Sequence, residues 1–183
     1  MTIATLPRRT ADLLERVDVR GRVDRSNFVI RGVRILGQRS QNGRRYSVNA
    51  LKSAAALYEC CEVHMNHPTN PREPRGFETQ VGILANVKFD GEALRGDLRL
   101  YKHHPLAALV MERAEAGGQG FGLSHNASAG RTRRENGVLV IEAIASVRSV
   151  DVVANPATNR DLFEAVATSR RPTLLQMKRP HLA

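Results

Sequence analysis

The feature that most constrains the fold of this chain is a pair of alternating segments joined by a tight turn. Apolar residues occupy every second position over 81–89, and leucines alternate with charged residues over 94–100. A period of two is that of a strand with one buried face, and the intervening Asp90-Gly91 is a strong β-hairpin signal. The sequence therefore predicts two antiparallel strands that bury one face of a sheet.

Two further segments have the spacing and the end signals of helices. Ser47 is a favourable N-cap, and the apolar residues of 50–58 follow at helical intervals among good helix formers. Pro105 suits the first turn of a second helix, which carries its apolar face over 106–114 and ends at Gly117-Gly118. A third, closing helix over 161–167 is an option that the pattern leaves open.

The remaining strand signals are spread along the whole middle of the chain. They fall at 28–35, where Gly32 separates a first pair, and at 62–67, 121–129, 138–141 and 145–153. Together with the hairpin they give about seven strands. The predicted fold class is α+β, a mostly antiparallel β-barrel or bent sheet with two or three surrounding helices.

The ends of the chain differ in composition from its middle. The 183 residues carry a formal charge of +10, and much of this charge lies in arginine-rich flanks. We therefore divide the chain into a flexible basic N-terminal arm over 1–26, a folded domain over 27–167 and a basic C-terminal tail over 168–183. The length suits one domain with a substantial core.

Composition also narrows the class of partner. The excess of basic over acidic residues favours an acidic or polyanionic partner. Aromatic residues make up only 4% of the chain and Trp is absent, which argues against a specific nucleic-acid ligand bound by base stacking. No apolar run approaches the roughly 20 residues of a membrane span, and the N-terminus lacks an apolar stretch of the signal-peptide type. We expect a protein that is neither secreted nor bound to a membrane.

Cysteine and histidine spacing gives no support for a metal or cofactor. Cys60 and Cys61 are adjacent, so a disulfide between them would be strained, and they fit a structural role in a reducing compartment. His64 and His67 could bind a metal with His103 or His104 and the cysteines, but the spacing matches no standard structural zinc module. We expect neither a metal nor a cofactor.

The segment 120–130 concentrates small and polar residues around one hydroxyl, Ser124. A strand period places Ser124 on one face with Gly122, Asn126 and Ser128, and Gly122 has no side chain to block approach to the hydroxyl. This arrangement suits an attacking serine, although a small-residue strand beside a crowded interior would have the same pattern. The segment lacks the strand-turn-helix context of an α/β-hydrolase nucleophile elbow.

A serine nucleophile needs a base within hydrogen-bond reach, and the base needs a third group that fixes its tautomer. Pro68 restricts His67 to extended backbone at the end of a short strand. His64, three positions earlier, faces away from His67 and suits a supporting role, while His125 points opposite to Ser124 and suits a structural one. Asp151 follows on the last strand, on the face opposite to Val150 and Val152.

Three pieces of the chain, in this order, resemble the tailed-phage prohead (capsid-maturation) serine proteases, which are distant relatives of the herpesvirus assemblin fold. They are Asn42-Gly43-Arg44-Arg45-Tyr46 with its helix and Val63-His64-Met65-Asn66-His67-Pro68, then Gly122-Leu123-Ser124-His125, and finally Ser149-Val150-Asp151-Val152-Val153-Ala154-Asn155-Pro156-Ala157-Thr158. The resemblance spans roughly residues 28–165 and implies a herpesvirus-protease-like fold.

The resemblance implies that Ser124 is the nucleophile and His67 the general base. In the herpesvirus branch a second histidine is the third member of the catalytic triad. This sequence has none in its final strand, and Asp151 occupies the similar place, with Glu142 as an alternative. The family analogy also points to backbone amides near Asn159-Arg160 as oxyanion donors.

The function implied by the resemblance is a serine endopeptidase that cleaves scaffold protein, major capsid protein or both during procapsid maturation, and that also cleaves itself. Such an enzyme would act in the host cytoplasm inside the assembling procapsid, and the herpesvirus relatives act as dimers. Two alternatives from other classes remain: a catalytically inactive scaffold- or capsid-associated binding module of the same fold, and a basic nucleic-acid-binding protein.

Overall fold

The computed structural model describes residues 22–154 and, beyond them, residues 156, 157, 159 and 161–163. The strands in this part of the chain are β1 (Arg22–Asp24), β2 (Val29–Gly37), β3 (Arg44–Tyr46), β4 (Glu62–Met65), β5 (Gln80–Phe89), β6 (Ala93–Leu100), β7 (Gly122–Ala129), β8 (Thr132–Glu135), β9 (Val138–Ile141) and β10 (Ile144–Val153). The helices are α1 (Val48–Tyr58) and α2 (Ala107–Glu115), with a short 3₁₀ turn at Phe77–Thr79.

The strands form two open sheets. A seven-stranded sheet has the order β1-β2-β6-β5-β4-β10-β7, and a three-stranded sheet has the order β3-β9-β8. Every pairing is antiparallel except those of β4 with β10 and of β3 with β9, which are parallel. The predicted α+β class with a mostly antiparallel sheet is confirmed. The barrel alternative is wrong, because β1 and β7 are the edges of an open sheet.

The predicted hairpin is formed by β5 and β6. The Asp90 carboxylate accepts hydrogen bonds from the backbone N–H groups of Glu92 and Ala93, both at 2.9 Å, and so fixes the turn. The expected strand pair around Gly32 is instead the single strand β2. Gly32 has a φ of +70°, and the β2–β6 register shifts between Ile30 and Val33, so the residue that was expected to separate two strands bulges within one.

Helix α1 supplies one side of the core and begins as the sequence predicts. The Ser47 hydroxyl accepts a hydrogen bond from the backbone N–H of Ala50 at 3.0 Å, which satisfies one donor of the first turn. Leu51, Ala54 and Tyr58 are buried in the same apolar cluster as residues of β2, β5, β6 and β10. Helix α1 therefore packs its apolar stripe on the sheet that carries Asp151.

Asn159 connects two strands that do not pair with each other, β2 and β7. Its side-chain N–H₂ donates to the carbonyls of Arg34 at 3.1 Å and Leu123 at 3.0 Å, and its Oδ1 accepts from Nε of Arg34 at 3.1 Å. The residue is 1% exposed. This buried amide holds the segment after β10 against the start of the Ser124 strand.

The folded part of the chain begins earlier than residue 27. Arg22 pairs with Arg31 and Asp24 with Val29 in an antiparallel ladder, so β1 lies inside the N-terminal arm predicted over 1–26. The ladder with β2 fixes these residues to the sheet. The sequence of the arm did not predict this strand, because its charged residues show no strand period. The described residues do not include 1–21, the predicted tail over 168–183 or most of the optional helix over 161–167. No helix among those described has the length and apolar character needed to cross a bilayer.

Candidate active site

Ser124 and Asp151 lie directly opposite each other on neighbouring strands. The antiparallel register of β7 and β10 pairs these two residues, so their side chains leave the same face of the sheet with Cβ atoms about 5 Å apart. Asp151 is fully buried and Ser124 is 8% exposed. The strand pairing thus brings together two of the three predicted residues.

The third predicted residue, His67, contacts the same carboxylate. Its Nδ1 lies 3.0 Å from Oδ2 of Asp151. The other carboxylate oxygen, Oδ1, accepts from the hydroxyl of Ser149 at 3.1 Å and from the guanidinium of Arg75 at 3.1 Å. Three donors therefore satisfy a carboxylate that would be strongly destabilised if it were buried alone.

His67 reaches Asp151 because β4 runs parallel to β10. Asn66 follows the end of β4, where its backbone N–H donates to the carbonyl of Val152 at 2.9 Å and its φ is +62°. Pro68 restricts the backbone of His67 to extended conformations, and β4 itself ends at Met65, two residues before the predicted strand end at His67. The side chain of His67 is 55% exposed, so its ring borders solvent while its Nδ1 faces the buried carboxylate.

The contact with Asp151 decides which ring nitrogen of His67 can act as a base. In the neutral imidazole a carboxylate partner favours the proton on Nδ1, which leaves the lone pair on Nε2. Within the described part of the chain, no hydrogen bond joins His67 to Ser124. Asp151 is thus the group that both residues neighbour, one through a hydrogen bond and one through strand register.

Arg75 belongs to this site, and sequence reasoning missed it. Its guanidinium pairs with Asp151 and also donates to the carbonyls of Met65 at 3.1 Å and Asn66 at 2.9 Å. Its side chain is 13% exposed. Arg75 therefore ties the loop that follows His67 to the buried carboxylate. The only sequence signal was an arginine in a proline-rich loop, which is not specific.

His64 has a supporting position and no direct contact with the nucleophile. It is paired in register with Asp151 on β4 and is 2% exposed. Its Nδ1 lies 2.8 Å from the hydroxyl of Thr79, and its Nε2 lies 3.2 Å from a carboxylate oxygen of Glu62. Both ring nitrogens are occupied, so His64 fixes the start of β5 beside the site.

Glu142, the alternative third member, is directed elsewhere. Its carboxylate accepts from Arg133 at 2.7 Å and from Arg131 at 3.1 Å, next to the β8–β9 hairpin. The structure thus joins Asp151, and not Glu142, to His67. Of the predicted oxyanion residues, Asn159 uses its side chain to clamp β2 to β7, and Arg160 lies outside the described residues.

His125 has the structural role that its strand parity predicts. Its ring is held between two hydroxyls, with Nε2 3.0 Å from that of Tyr46 and Nδ1 2.5 Å from that of Tyr58. Burial lowers the pKa of His125 to about 4, and the charge of Arg44 lowers it in the same direction. His125 is therefore neutral at physiological pH and lies against two tyrosines on the face of β7 opposite to the side chain of Ser124.

The missing side chain of Gly122 serves packing. A Cβ at this position would lie 2.9 Å from Cγ of Pro156 and 3.3 Å from the carbonyl oxygen of Asp161. The segment after β10 thus occupies the space beside Gly122, and the close approach requires glycine.

The cysteines take no part in the site. Both are free; Cys60 is exposed, and burial raises the pKa of the partly buried Cys61 thiol to about 11, which keeps it protonated. No group of three or more metal-ligating side chains converges among the residues that the structure describes. Comparisons with protein-family models, with curated proteins and with solved structures give no match for this chain.

Proposed function

We propose that this chain is a serine endopeptidase with Ser124 as nucleophile, His67 as general base and Asp151 as the group that orients the base. The observation that supports this most directly is the position of Asp151. Its carboxylate contacts Nδ1 of His67 while its strand position is opposite Ser124. An acid, a base and a hydroxyl on one face of a sheet are what acyl transfer by a serine requires.

The proposed reaction follows from this arrangement. Nε2 of His67 takes the proton of the Ser124 hydroxyl as the oxygen attacks a peptide carbonyl carbon. The tetrahedral intermediate collapses, the C–N bond breaks, and the imidazolium returns its proton to the leaving amine. Water then attacks the acyl-enzyme with His67 again as the base, which releases the acid and restores Ser124.

Asp151 orients the base throughout this cycle. Its buried carboxylate holds the Nδ1–H tautomer of His67 and stabilises the imidazolium that forms when the serine proton arrives. The proposal requires the exposed His67 ring to bring Nε2 to within about 3 Å of the hydroxyl when a substrate is bound, and catalytic hydrogen bonds of this kind often tighten only in the complex.

The substrates we propose are the scaffold protein and the major capsid protein of a phage-type procapsid, together with the chain itself. The support is the resemblance of three segments to prohead proteases. Each segment contains one of His67, Ser124 and Asp151. In the fold Asp151 contacts His67 and lies opposite Ser124 in strand register. The basic flanks suit contact with an acidic scaffold inside an assembling shell. The enzyme acts in this proposal within the host cytoplasm, alone or as an oligomer.

Self-cleavage provides the first test. The full chain is purified as wild type, as Ser124→Ala and as Ser146→Ala, which alters an exposed serine on β10 outside the site. Intact-mass spectrometry is expected to find truncated products for wild type and Ser146→Ala, and only the full-length chain for Ser124→Ala. Co-expression with a scaffold or capsid protein extends the comparison to cleavage in trans.

Covalent labelling gives an independent measurement. A fluorophosphonate probe is expected to label wild type at Ser124 and to leave Ser124→Ala unlabelled. If wild type shows no labelling, no truncation and no cleavage of a co-expressed substrate, the endopeptidase proposal is wrong, and an inactive binding module of the same fold becomes the better description.

A further inference from the structure

A groove begins at Ser124 and runs between β7 and the three-stranded sheet. Its volume is about 310 Å³. Ser124 borders it at one end. His125, Ala127 and Ala129 border it along β7, and Tyr46, Leu139 and Ile141 border it on the other side. The groove lies mainly on the face of β7 that carries His125, opposite to the side chain of Ser124. A peptide bound along the edge of β7 would therefore place side chains in the groove while its backbone passes Ser124.

The groove follows a sheet edge with unpaired backbone groups. β7 is the last strand of the seven-stranded sheet, and no described strand pairs with its outer side. The carbonyl of Leu123 points to that side, because it accepts the side-chain N–H of Asn159 at 3.0 Å. Backbone groups alternate in direction along a strand, so those of His125 and Ala127 face the same way, into the groove. Such an edge is suited to an extended peptide.

One cation of the groove lacks a carboxylate partner. Arg44 lines the groove and is exposed. Its neighbour Arg45 pairs with Glu135, and Arg131 and Arg133 pair with Glu142. Among the residues that the structure describes, no carboxylate pairs with Arg44. The acidic side chains of this sheet thus pair with other arginines. The Arg44 guanidinium hydrogen-bonds the side chain of Tyr46 and keeps further N–H donors for a ligand.

The charge of Arg44 acts within the groove on Tyr46 and His125. It opposes the rise in the pKa of Tyr46 that burial causes, and it adds to the fall in the pKa of His125, the residue next to Ser124. Both effects require the guanidinium to lie near these side chains. The guanidinium therefore lies near Tyr46 and His125, whose side chains contact each other and border the groove.

We propose that Arg44 forms a subsite for an acidic side chain of an extended peptide that pairs with the free edge of β7. The inference rests on the proposed function and specifies its substrate class: a peptide segment with Asp or Glu within a few residues of the bond that Ser124 attacks. A guanidinium suits a carboxylate because its parallel N–H donors can bind both oxygens. Leu139 and Ile141 would contact the apolar neighbours of the acidic residue.

Binding is measured without cleavage on the full-length Ser124→Ala protein. The probes are sets of short extended peptides in which a single Glu, Gln or Lys is moved through an otherwise constant sequence of small and apolar residues. Ser124→Ala is expected to bind the best Glu peptide on the order of fivefold more tightly than its Gln counterpart, as for a partly exposed ion pair.

Three additional variants assign the preference to one side chain. Adding Arg44→Gln is expected to remove the preference for Glu, and adding Arg45→Gln, which changes an arginine already paired with Glu135, is expected to leave it intact. Adding Arg44→Lys retains the charge and is expected to keep part of the preference. Circular dichroism of each variant confirms that it is folded.

The outcomes separate this inference from the proposed function. Absence of peptide binding, a preference for Glu that survives in Arg44→Gln, or stronger binding of a single-stranded oligonucleotide than of acidic peptides overturns the subsite. If the preference depends on Arg44 while wild type cleaves none of the bound peptides and no co-expressed substrate, the subsite stands and the endopeptidase proposal fails. If wild type cleaves peptides equally well with and without acidic residues, the endopeptidase proposal stands and the subsite fails.

Discussion

Arg75 lies 3.1 Å from Asp151 and supplies a buried positive charge to a carboxylate that also contacts His67. The same guanidinium binds two backbone carbonyls at the end of β4. One side chain therefore both compensates the charge of the proposed orienting acid and holds the chain that carries the proposed base. The stability of the fold and the geometry of the site are coupled through this ion pair.

Replacing Asp151 by Asn tests the orienting role. The amide can donate to Nδ1 of His67, which would favour the proton on Nε2 and leave no base for Ser124. We expect the cleavage rate to fall by about 10⁴, the effect seen when the orienting aspartate of a serine protease triad is amidated. Single-turnover cleavage of a substrate found in the self-cleavage assay measures it.

Asp97→Asn is the matched control for this substitution. Asp97 pairs with Arg31 and accepts from the backbone of Gly32, and it lies in β6, away from the site. We expect Asp97→Asn to lower stability without lowering the cleavage rate of the folded protein. A wild-type rate in Asp151→Asn would show that Asp151 does not orient the base.

Arg75→Met tests the coupling between the ion pair and the loop. It leaves the buried carboxylate of Asp151 without its cation and frees the carbonyls of Met65 and Asn66, so we expect a loss of about 3 kcal/mol in unfolding free energy. Lys cannot make all three contacts from one planar group, so Arg75→Lys should recover only part of the loss. Urea unfolding measures both.

The loop itself gives a second measurement for Arg75. Limited proteolysis over residues 66–79 is expected to be faster in Arg75→Met than in wild type, because a contact that closes the loop is lost. Arg72→Met, which changes an exposed arginine of the same loop, should match wild type. Equal protection in all three proteins would mean that Arg75 does not hold the loop.

Local sequence signals predicted most of the elements because each signal has a direct physical cause. Ser47 caps α1 through its own hydroxyl, and Asp90 fixes the β5–β6 turn through its own carboxylate. Strand parity predicted correctly that the side chains of His125 and Ser124 lie on opposite faces, since His125 contacts Tyr46 and Tyr58 while Ser124 is paired in register with Asp151. In each case the deciding contact lies within a few residues or follows from a strand's period of two.

The contacts that sequence reasoning missed join distant parts of the chain. Arg75 meets Asp151, and Asn159 meets Arg34 and Leu123, through contacts that depend on how the sheet bends and not on any local pattern. The barrel alternative failed for the same reason, because closure depends on whether the edge strands meet. An arginine in a loop and an asparagine after a strand have no periodicity that would reveal a partner.

His125 predicts a pH dependence of stability. Its pKa is about 4 in the folded protein against an ordinary value of 6.5, so between these values the unfolded chain binds a proton that the folded protein does not. Stability is therefore fully present above about pH 6.5 and falls as the pH drops towards 4. The difference between the two pKa values corresponds to about 3 kcal/mol.

Urea unfolding between pH 7.5 and pH 4.5 measures this dependence. His125→Gln keeps a polar group between Tyr46 and Tyr58 but cannot titrate, so its stability should change less over this range than that of wild type. His103→Gln, which changes an exposed histidine, should behave as wild type does. An unchanged slope in His125→Gln would assign the acid sensitivity to other groups.

Two glycines of the Ser124 region provide a matched test of packing beside the site. A Cβ at Gly122 would approach Pro156 to 2.9 Å, whereas a Cβ at Gly130 would meet its nearest neighbours at 3.5 Å, an ordinary contact. Gly122→Ala should therefore displace the segment that Asn159 anchors and cost about 1–3 kcal/mol. Gly130→Ala should be neutral or stabilise the protein by up to about 1 kcal/mol, since alanine restricts the unfolded chain.

Thermal unfolding measures the stability of both variants. Because Gly122 lies two residues before Ser124, Gly122→Ala should also slow labelling of Ser124 by a fluorophosphonate. Equal stability of the two variants would show that the segment after β10 does not press on the start of β7.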